Sequence, residues 1–206
     1  MLLSKIFVFA LWLHVKGNRT AELYLLIGAS AWASSTALKW IFCLYRNFSW
    51  NRSRTKAEVT QESGALHVSV YIPRPWKMKA GQYIYLSIPK VSFWSIFQRH
   101  PFVISGWDSN SDRLKIHLLI KPRRGFTRKL TGCTDTLMSA FVDGPYGVGY
   151  DFSNFGTVLM FATGIGVASH LAYIDELVQG YRRSEVKTRR IVLMWELDAD
   201  GTFALG

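Results

Sequence analysis

Apolar residues dominate the first 45 positions of the chain. The stretch Leu23–Tyr45 carries a single charge, Lys39, and its length and composition predict a helix that crosses a membrane. Small residues near its start lower its hydrophobicity, so a buried helix of a soluble domain remains an alternative. Residues 1–15 are also apolar but short for a span, and we interpret them as the end of another membrane helix.

Beyond residue 56 the pattern changes to an alternation of apolar and polar residues. Runs such as AGQYIYLSIP and RLKIHLLIKP are bounded by glycine, proline or short polar segments and recur at intervals of about 10 to 20 residues. Alternation with a period of two is typical of strands that bury one face. The pattern therefore predicts a small antiparallel β-barrel over residues 56–153.

A third pattern begins near residue 154. The run TVLMFATGIGVASHLAYIDELVQGY consists of an apolar strand, a glycine-rich turn and an amphipathic helix, and TRRIVLMWEL supplies a second apolar strand. Strand, helix and strand in this order predict a parallel pair. We expect an incomplete α/β domain over residues 154–206, and a fold class of α+β with membrane helices.

Charge adds a direction to this picture. The chain has 25 lysines and arginines against 14 acidic residues, a net charge of +11, although 49% of its residues are hydrophobic. Four cations follow the predicted span at positions 46, 52, 54 and 56, which places the C-terminal part in the cytoplasm by the positive-inside rule. Charge alone would also suit nucleic acid, but no nucleic-acid-binding motif supports that class.

Two glycine-containing stretches are candidates for binding phosphate groups. In KPRRGFTRKL, Gly125 permits a sharp turn, Phe126 offers an aromatic face and Thr127 can cap a short helix among several cations, which suits a diphosphate. A solvated basic surface or a patch facing anionic lipids remains an alternative. In TGIGVAS, the turn Thr163–Gly166 lets a pyrophosphate approach bare backbone, although a turn without ligand remains open because Ser169 replaces the third glycine of the dinucleotide fingerprint.

Two further motifs are less informative by themselves. HPFVIS, residues 100–105, is by pattern an ordinary entry from a loop into a strand. GPYG, residues 144–147, is by pattern a turn between domains. The order HPF, GFT, GPYG and TGIG, at these spacings, is far more specific than any one motif.

This combination resembles the flavin and nicotinamide domains of the ferredoxin-reductase superfamily. With the apolar N-terminal part it resembles the fungal-type ferric reductases, which are relatives of the NADPH oxidases. The resemblance implies a plasma-membrane enzyme that passes electrons from NADPH to FAD, and through haem to ferric or cupric ions. Superoxide production is the rival activity, and a non-catalytic remnant with a flavin-binding module is a second alternative.

The resemblance also implies roles for particular residues. No catalytic acid or base is expected, because the cofactors carry the chemistry. Val103 stands where most relatives have threonine or serine, so a hydroxyl bond to the flavin is in question. The resemblance assigns FAD binding to His100, Pro101, Phe102, Val103, Ile104, Ser105, Gly125, Phe126 and Thr127, and the nicotinamide nucleotide to Gly144, Pro145, Tyr146, Thr163, Gly164, Ile165 and Gly166.

Two expectations concern the ends of the chain. His14 resembles a haem-ligating histidine whose partner helices are absent from this sequence, so haem is expected only in a longer chain. Glu196 ends the second apolar strand, where position alone would make it a ribose-binding carboxylate that favours NADH. The resemblance nevertheless implies NADPH, and the whole chain resembles a fragment of a longer protein.

Overall fold

The computed structural model describes residues 2–49, 53–62, 64–74, 76–91, 100–108, 114–134 and 136–197. The last nine residues of the predicted α/β domain lie outside this set. Contacts within the chain define two compact units, Met1–Tyr45 and Arg46–Gly206.

The first unit is helical, as the apolar pattern predicts. Helix α1 covers Leu2–Val15, and helix α2 covers Arg19–Asn47, so its last two residues belong to the second unit. The Asn18 side chain accepts a hydrogen bond from the Ala21 N–H at 3.3 Å and caps the start of α2.

Neither helix confirms the predicted membrane span. Among the residues that the structure describes, no helix combines the length and the mean hydropathy that crossing a membrane requires. Helix α2 is 29 residues long, but the glycine, alanine, serine and threonine residues between positions 28 and 37 dilute its apolar character. The prediction for residues 23–45 is therefore confirmed as a helix and not as a span.

The second unit begins with a hairpin of β1 (Phe48–Ser49) and β2 (Ser53–Arg54), and eight further strands form two antiparallel sheets. The sheet orders are β7-β8-β4-β3-β9 and β10-β5-β6. Alternation of apolar and polar residues along a strand decides which of its faces is buried. In β8, every second residue from Leu114 to Ile120 is buried. The strands are β3 (Lys56–Glu62), β4 (Ala65–Ile72), β5 (Tyr83–Ser87), β6 (His100–Val103), β7 (Gly106–Asp108), β8 (Leu114–Ile120), β9 (Leu137–Ser139) and β10 (Phe141–Tyr146).

The predicted barrel is not closed by continuous strand pairing within the described residues. The chain instead bends from one sheet to the other at two corners. At the first, the Ile104 N–H donates to Gln82 O at 3.0 Å while the Ser105 N–H donates to His117 O at 2.9 Å. At the second, Ala140 joins β9 of one sheet to β10 of the other. Bends of this kind let two short sheets enclose one core without a full ladder.

One apolar core lies between the two sheets. Both sheets contribute side chains that are completely buried, and helix α3 (Phe126–Leu130) covers part of the same core. A 3₁₀ turn, Thr131–Cys133, follows α3. Burial of this much aliphatic surface is the main stabilising contribution to the unit. Members with no exposed surface include Val59, Leu66, Val68, Ile84, Leu86, Ile104, Ile116 and Leu118.

The C-terminal part has the predicted strand, helix and strand. Strand β11 (Thr157–Thr163) leads through a 3₁₀ turn into helix α4 (Ala168–Arg182), and β12 (Arg190–Glu196) returns parallel to β11. One face of β11 is buried with Leu177 of α4 in a second, smaller core. The parallel pairing is confirmed, whereas the domain boundary at residue 154 stays a prediction.

Candidate functional site

Strand β6 carries the HPFV motif at the edge of the three-stranded sheet. Val103 lies opposite Tyr83 of β5, and Pro101 lies opposite Tyr85. Residues directly opposite each other share a face, so these four side chains point to the same side of the sheet. His100 and Phe102 alternate to the other side, where Phe102 packs against the core. The motif therefore has two faces: Pro101 and Val103 lie on one side of the sheet, and His100 and Phe102 lie on the other.

The outward side of this sheet is an aromatic surface. We call it the tyrosine face and define it as Tyr83, Tyr85, Pro101, Val103 and Tyr146. The ring of Tyr146 lies 5.8 Å from that of Tyr83 and 5.5 Å from that of Tyr85. Val103 remains 38% exposed although it is in a strand. Partly exposed aromatic and aliphatic side chains of this kind can take a planar ring.

Hydroxyl groups at the rim of the tyrosine face are held by neighbours. The Tyr146 hydroxyl donates to Asp143 Oδ1 at 2.8 Å. Hydrogen bonding with Tyr85, with a smaller contribution from burial, raises the pKa of Tyr83. The Tyr83 hydroxyl therefore stays protonated at physiological pH.

On the other side of β6, the imidazole of His100 stacks on Phe126 of α3. The ring centroids are 4.5 Å apart and the planes are within 6° of parallel. The Nε2 atom is buried, and within the described residues it has no hydrogen-bond partner. Burial lowers the pKa of His100, so the ring is neutral near pH 7. A buried nitrogen without a partner is unfavourable unless a ligand or water supplies one.

The turn that leads into α3 depends on glycine. Gly125 precedes the helix with φ 81° and ψ −129°, a conformation that L-residues rarely adopt. A Cβ at this position would have no atom within 4 Å, so the space beside the turn is open. The Lys129 N–H donates to Gly125 O at 3.2 Å and closes the first turn of the helix.

Thr127 does not have the predicted role. Gly125 occupies the capping position, and no side chain caps α3. The Thr127 hydroxyl, within the helix, instead accepts a hydrogen bond from the Arg123 N–H at 2.8 Å. The prediction of a threonine cap was wrong because a hydroxyl inside the first turn reaches the backbone that precedes the helix. Arg123, Arg124, Arg128 and Lys129 are exposed around the turn and make it electropositive.

Ile104 and Ser105 are not part of this surface. The Ile104 side chain has no exposed area and belongs to the core. The Ser105 hydroxyl donates to His117 O at 2.9 Å, and both backbone N–H groups are used at the sheet corner. Both N–H groups are therefore used in the bend, and the FAD-binding role of these two residues stays a prediction.

The GPY motif lies next to the tyrosine face. Gly144 and Pro145 are in β10, which pairs with β5, so HPFV and GPY share one sheet. A Cβ on Gly144 would lie 3.2 Å from Ile84 Cγ2 and 3.3 Å from Tyr83 O, so glycine allows β10 to pack closely on β5 here. The structure therefore brings together three of the four motifs, since His100 also contacts Phe126.

The fourth motif lies on the parallel pair. Gly164, with φ 47°, is buried where β11 ends, whereas Gly166 is exposed and has open space beside it. Trp195 Nε1 donates to Gly164 O at 2.9 Å and holds the turn against β12. Nucleotides bind at the carboxyl ends of parallel strands. A cavity of about 470 Å³ lies there, lined by Phe161, Ala162, Thr163, Met194, Trp195 and Glu196.

His14 is exposed on α1. The described residues contain no group of three or more histidine, cysteine, aspartate or glutamate side chains that could hold a metal ion. The sequence contains no other histidine before residue 67. Residues 1–45 therefore contain one histidine, whereas a bis-histidine haem site requires two, and the haem role of His14 stays a prediction.

Sequence reasoning missed Tyr83, Tyr85 and Trp195. The first two were detectable, because alternation in AGQYIYLSIP puts both tyrosines on the same face of a strand. Their neighbourhood with Val103 and Tyr146 depends on which strands pair. The contact of Trp195 with Gly164 spans 31 residues and has no local signal.

The fold is shared with solved reductases. A ferredoxin reductase of carbazole 1,9a-dioxygenase aligns with a TM-score of 0.54 at 16% identity over 70% of this chain and 42% of its own. Phthalate dioxygenase reductase aligns with a TM-score of 0.54 at 16% identity over 72% of this chain and 45% of its own. At such identities the likeness shows the fold alone, which is that of the ferredoxin-reductase-like FAD- and nucleotide-binding proteins.

Relatives by sequence point to a narrower group. The probable cell surface ferric reductase kap2 of Aspergillus oryzae is 28% identical over 94% of this chain and 27% of its own length. The ferric/cupric reductase transmembrane component 2 of Saccharomyces cerevisiae is 27% identical over 86% of this chain and 24% of its own length. NADPH oxidase 1 of Mus musculus is 26% identical over 81% of this chain and 30% of its own length.

A family model described as FAD-binding domain matches residues 49–149. The match covers the two antiparallel sheets, the tyrosine face and the turn at Gly125. The chain spans less than a third of the length of the curated relatives named above. Residues 49–149 therefore match an FAD-binding domain, and the chain as a whole is similar to ferric reductases and NADPH oxidases.

Proposed function

We propose that this chain is the flavin-binding part of a membrane oxidoreductase. Electrons pass from NADPH through FAD to ferric or cupric ions. The observation that carries the proposal is the buried, unpartnered Nε2 of His100 beside the open turn at Gly125. Both lie within the segment that matches the FAD-binding domain. A diphosphate-bearing ligand would supply the missing hydrogen-bond partner and fill the open space.

The residues present fit FAD on two surfaces. The flavin ring would lie against the tyrosine face, where Val103 offers no hydroxyl, so polar contacts at that position come from the backbone. The diphosphate would lie at Gly125, Phe126 and Thr127, where exposed cations compensate its charge. When bound, FAD accepts a hydride from the nucleotide and passes single electrons onward. The chain itself binds and orients the reactants and supplies no acid or base.

The nicotinamide nucleotide would use the remaining motifs. Gly166 has open space beside its backbone just before α4, where a diphosphate is favoured. Thr163, Gly164 and Ile165 would form the rest of this binding turn. Gly144, Pro145 and Tyr146 lie at the tyrosine face, where a nicotinamide ring would meet the flavin. NADPH is the proposed donor by similarity to NADPH oxidase 1 of Mus musculus. Glu196 lines the cavity at the strand ends. It is the first residue to substitute when NADH and NADPH are compared as donors, because a carboxylate there would favour NADH.

Membrane attachment and haem belong to the proposed whole protein. The relatives from Aspergillus oryzae and Saccharomyces cerevisiae are named as cell surface and transmembrane proteins, which supports a plasma-membrane location with the C-terminal part in the cytoplasm. A bis-histidine haem does not fit the residues present, because residues 1–45 contain only His14.

The test is a donor and acceptor assay on the purified chain loaded with FAD. Anaerobic NADPH is expected to bleach the flavin absorbance, and ferric or cupric chelates are expected to restore it. Similarity to an NADPH oxidase favours oxygen as the second candidate acceptor. Reoxidation by oxygen with superoxide release, and none by the metal chelates, would support that candidate. A folded chain whose bound flavin is not reduced would be a binding module alone.

A further inference from the structure

Strand β10 pairs with β5 along one edge, and the backbone groups of its other edge need different hydrogen-bond partners. Val142 of β10 lies opposite Leu86 of β5 and is 1% exposed. Its N–H and C=O nevertheless have another partner, a side chain 95 residues earlier in the sequence. Buried backbone groups at such an edge need a partner, because leaving them unpaired is unfavourable.

Asn47 supplies that partner. Its Nδ2 donates to Val142 O at 2.7 Å, and its Oδ1 accepts from the Val142 N–H at 2.8 Å. A primary amide has its NH2 donor group beside its carbonyl acceptor, so it can substitute for the backbone of a neighbouring strand. Asn47 is 2% exposed, and its own carbonyl accepts from the Thr55 N–H at 3.1 Å. The Asn47 backbone is therefore held by Thr55, and the Val142 backbone is held in β10.

Arg46 makes the next contact along the same strand. Its guanidinium donates to Gly144 O and lies over the Trp76 ring, with Cζ 5.0 Å from the ring centroid. Residues two apart in a strand direct their backbone groups to the same edge, so Arg46 and Asn47 hold the same edge at Gly144 and Val142. Charge-assisted bonds of a guanidinium stacked on an aromatic ring are well defined in direction.

Residues 142–144, which Asn47 and Arg46 contact, lead directly to Tyr146 of the tyrosine face. Tyr146 follows Gly144 by two residues, and its ring packs on Tyr83 and Tyr85. Gly144 itself packs closely on Ile84. A shift of β10 at this edge would therefore move Tyr146 relative to the two tyrosines of β5.

We propose that Arg46 and Asn47 are positioning residues for Gly144, Pro145 and Tyr146 at the end of β10. They act through β10 and set the place of Tyr146 on the tyrosine face. The inference rests on the proposed function, in which the flavin ring lies against that face. On this account, weakening the contacts changes how the flavin is held as well as how stable the chain is.

The experiment compares two arginines in the full chain saturated with FAD. Arg46→Ala removes the contact with β10. Arg74→Ala is the matched control, because Arg74 Nε also donates to a backbone carbonyl, that of Phe48 in β1, at 3.1 Å. Visible circular dichroism of the bound flavin reports its surroundings, and fluorescence titration gives the dissociation constant for FAD. Both are measured well below the melting temperature of each variant.

We expect Arg46→Ala to change the visible circular dichroism and to raise the dissociation constant at least about fivefold. Arg46→Lys should restore part of the change, and Arg74→Ala should resemble the wild type. Equal effects of the two alanine variants, or a folded Arg46→Ala chain identical to the wild type, would overturn the positioning role. If the wild-type chain itself binds no FAD, the proposed function fails and takes this inference with it.

Discussion

Replacing Gly125 with alanine tests the diphosphate turn in a way that separates backbone strain from crowding. The residue has φ 81° and ψ −129°, and a Cβ there would meet no atom within 4 Å. Alanine therefore brings no steric clash and only the strain of a conformation that suits glycine. That strain is about 1–3 kcal/mol for a non-glycine residue.

The strain is expected to appear in binding more than in folding. Gly125 lies in an exposed turn, so the ligand-free chain can relax it at little expense, whereas bound FAD requires the turn as it stands. A penalty of about 1–3 kcal/mol corresponds to an increase of about 5- to 150-fold in the dissociation constant for FAD. The melting temperature without FAD should change little.

The matched control is Gly132→Ala in the 3₁₀ turn that follows α3. Gly132 also has open space beside it, and it has no positive φ, so alanine should be accepted without strain. Fluorescence quenching of FAD by the two variants and the wild type gives three dissociation constants. Binding by Gly125→Ala within about twofold of both other chains would refute the reasoning.

Two further predictions concern stability. Burial lowers the pKa of His100, and burial together with the charge of His117 lowers the pKa of His67. Because the folded chain then binds fewer protons than the unfolded chain, its stability is expected to fall as the pH drops below about 6.5. In thermal melts across this pH range, the melting temperature of His100→Phe should depend less on pH than that of the wild type. An unchanged pH dependence would contradict a contribution of His100. Gly81→Ala places a Cβ against the Tyr173 hydroxyl at φ 81° and should lower the free energy of unfolding by about 2–4 kcal/mol. Gly106→Ala, with open space and no positive φ, should lower it by under about 1 kcal/mol, and equal effects of the two would contradict the assignment.

Local patterns were enough to predict the elements of the second unit. Alternation in residues 114–120 and the strand, helix and strand after residue 157 appear in the structure as the sequence indicates. Each depends on periodicity within a few residues, which needs no knowledge of distant partners. The membrane span predicted for residues 23–45 is unconfirmed, because the many small residues of the stretch lower the mean hydropathy of the helix.

The rest depends on contacts between distant parts of the chain. The two corners that replace a closed barrel are made by Ile104 and Ser105 at one end and by Ala140 at the other. The role of Asn47 requires a partner 95 residues away, and an asparagine at the end of an apolar helix gives no sign of it. The stacking of His100 on Phe126 likewise joins two motifs that the sequence shows only as separate.

The most direct test of the account is a titration of the full chain with FAD and, in parallel, with riboflavin. The account predicts saturable quenching by one FAD per chain and much weaker binding of riboflavin, because riboflavin lacks the diphosphate that the Gly125 turn and His100 would hold. A folded chain that quenches neither flavin, or that binds riboflavin as tightly as FAD, would contradict the proposed site.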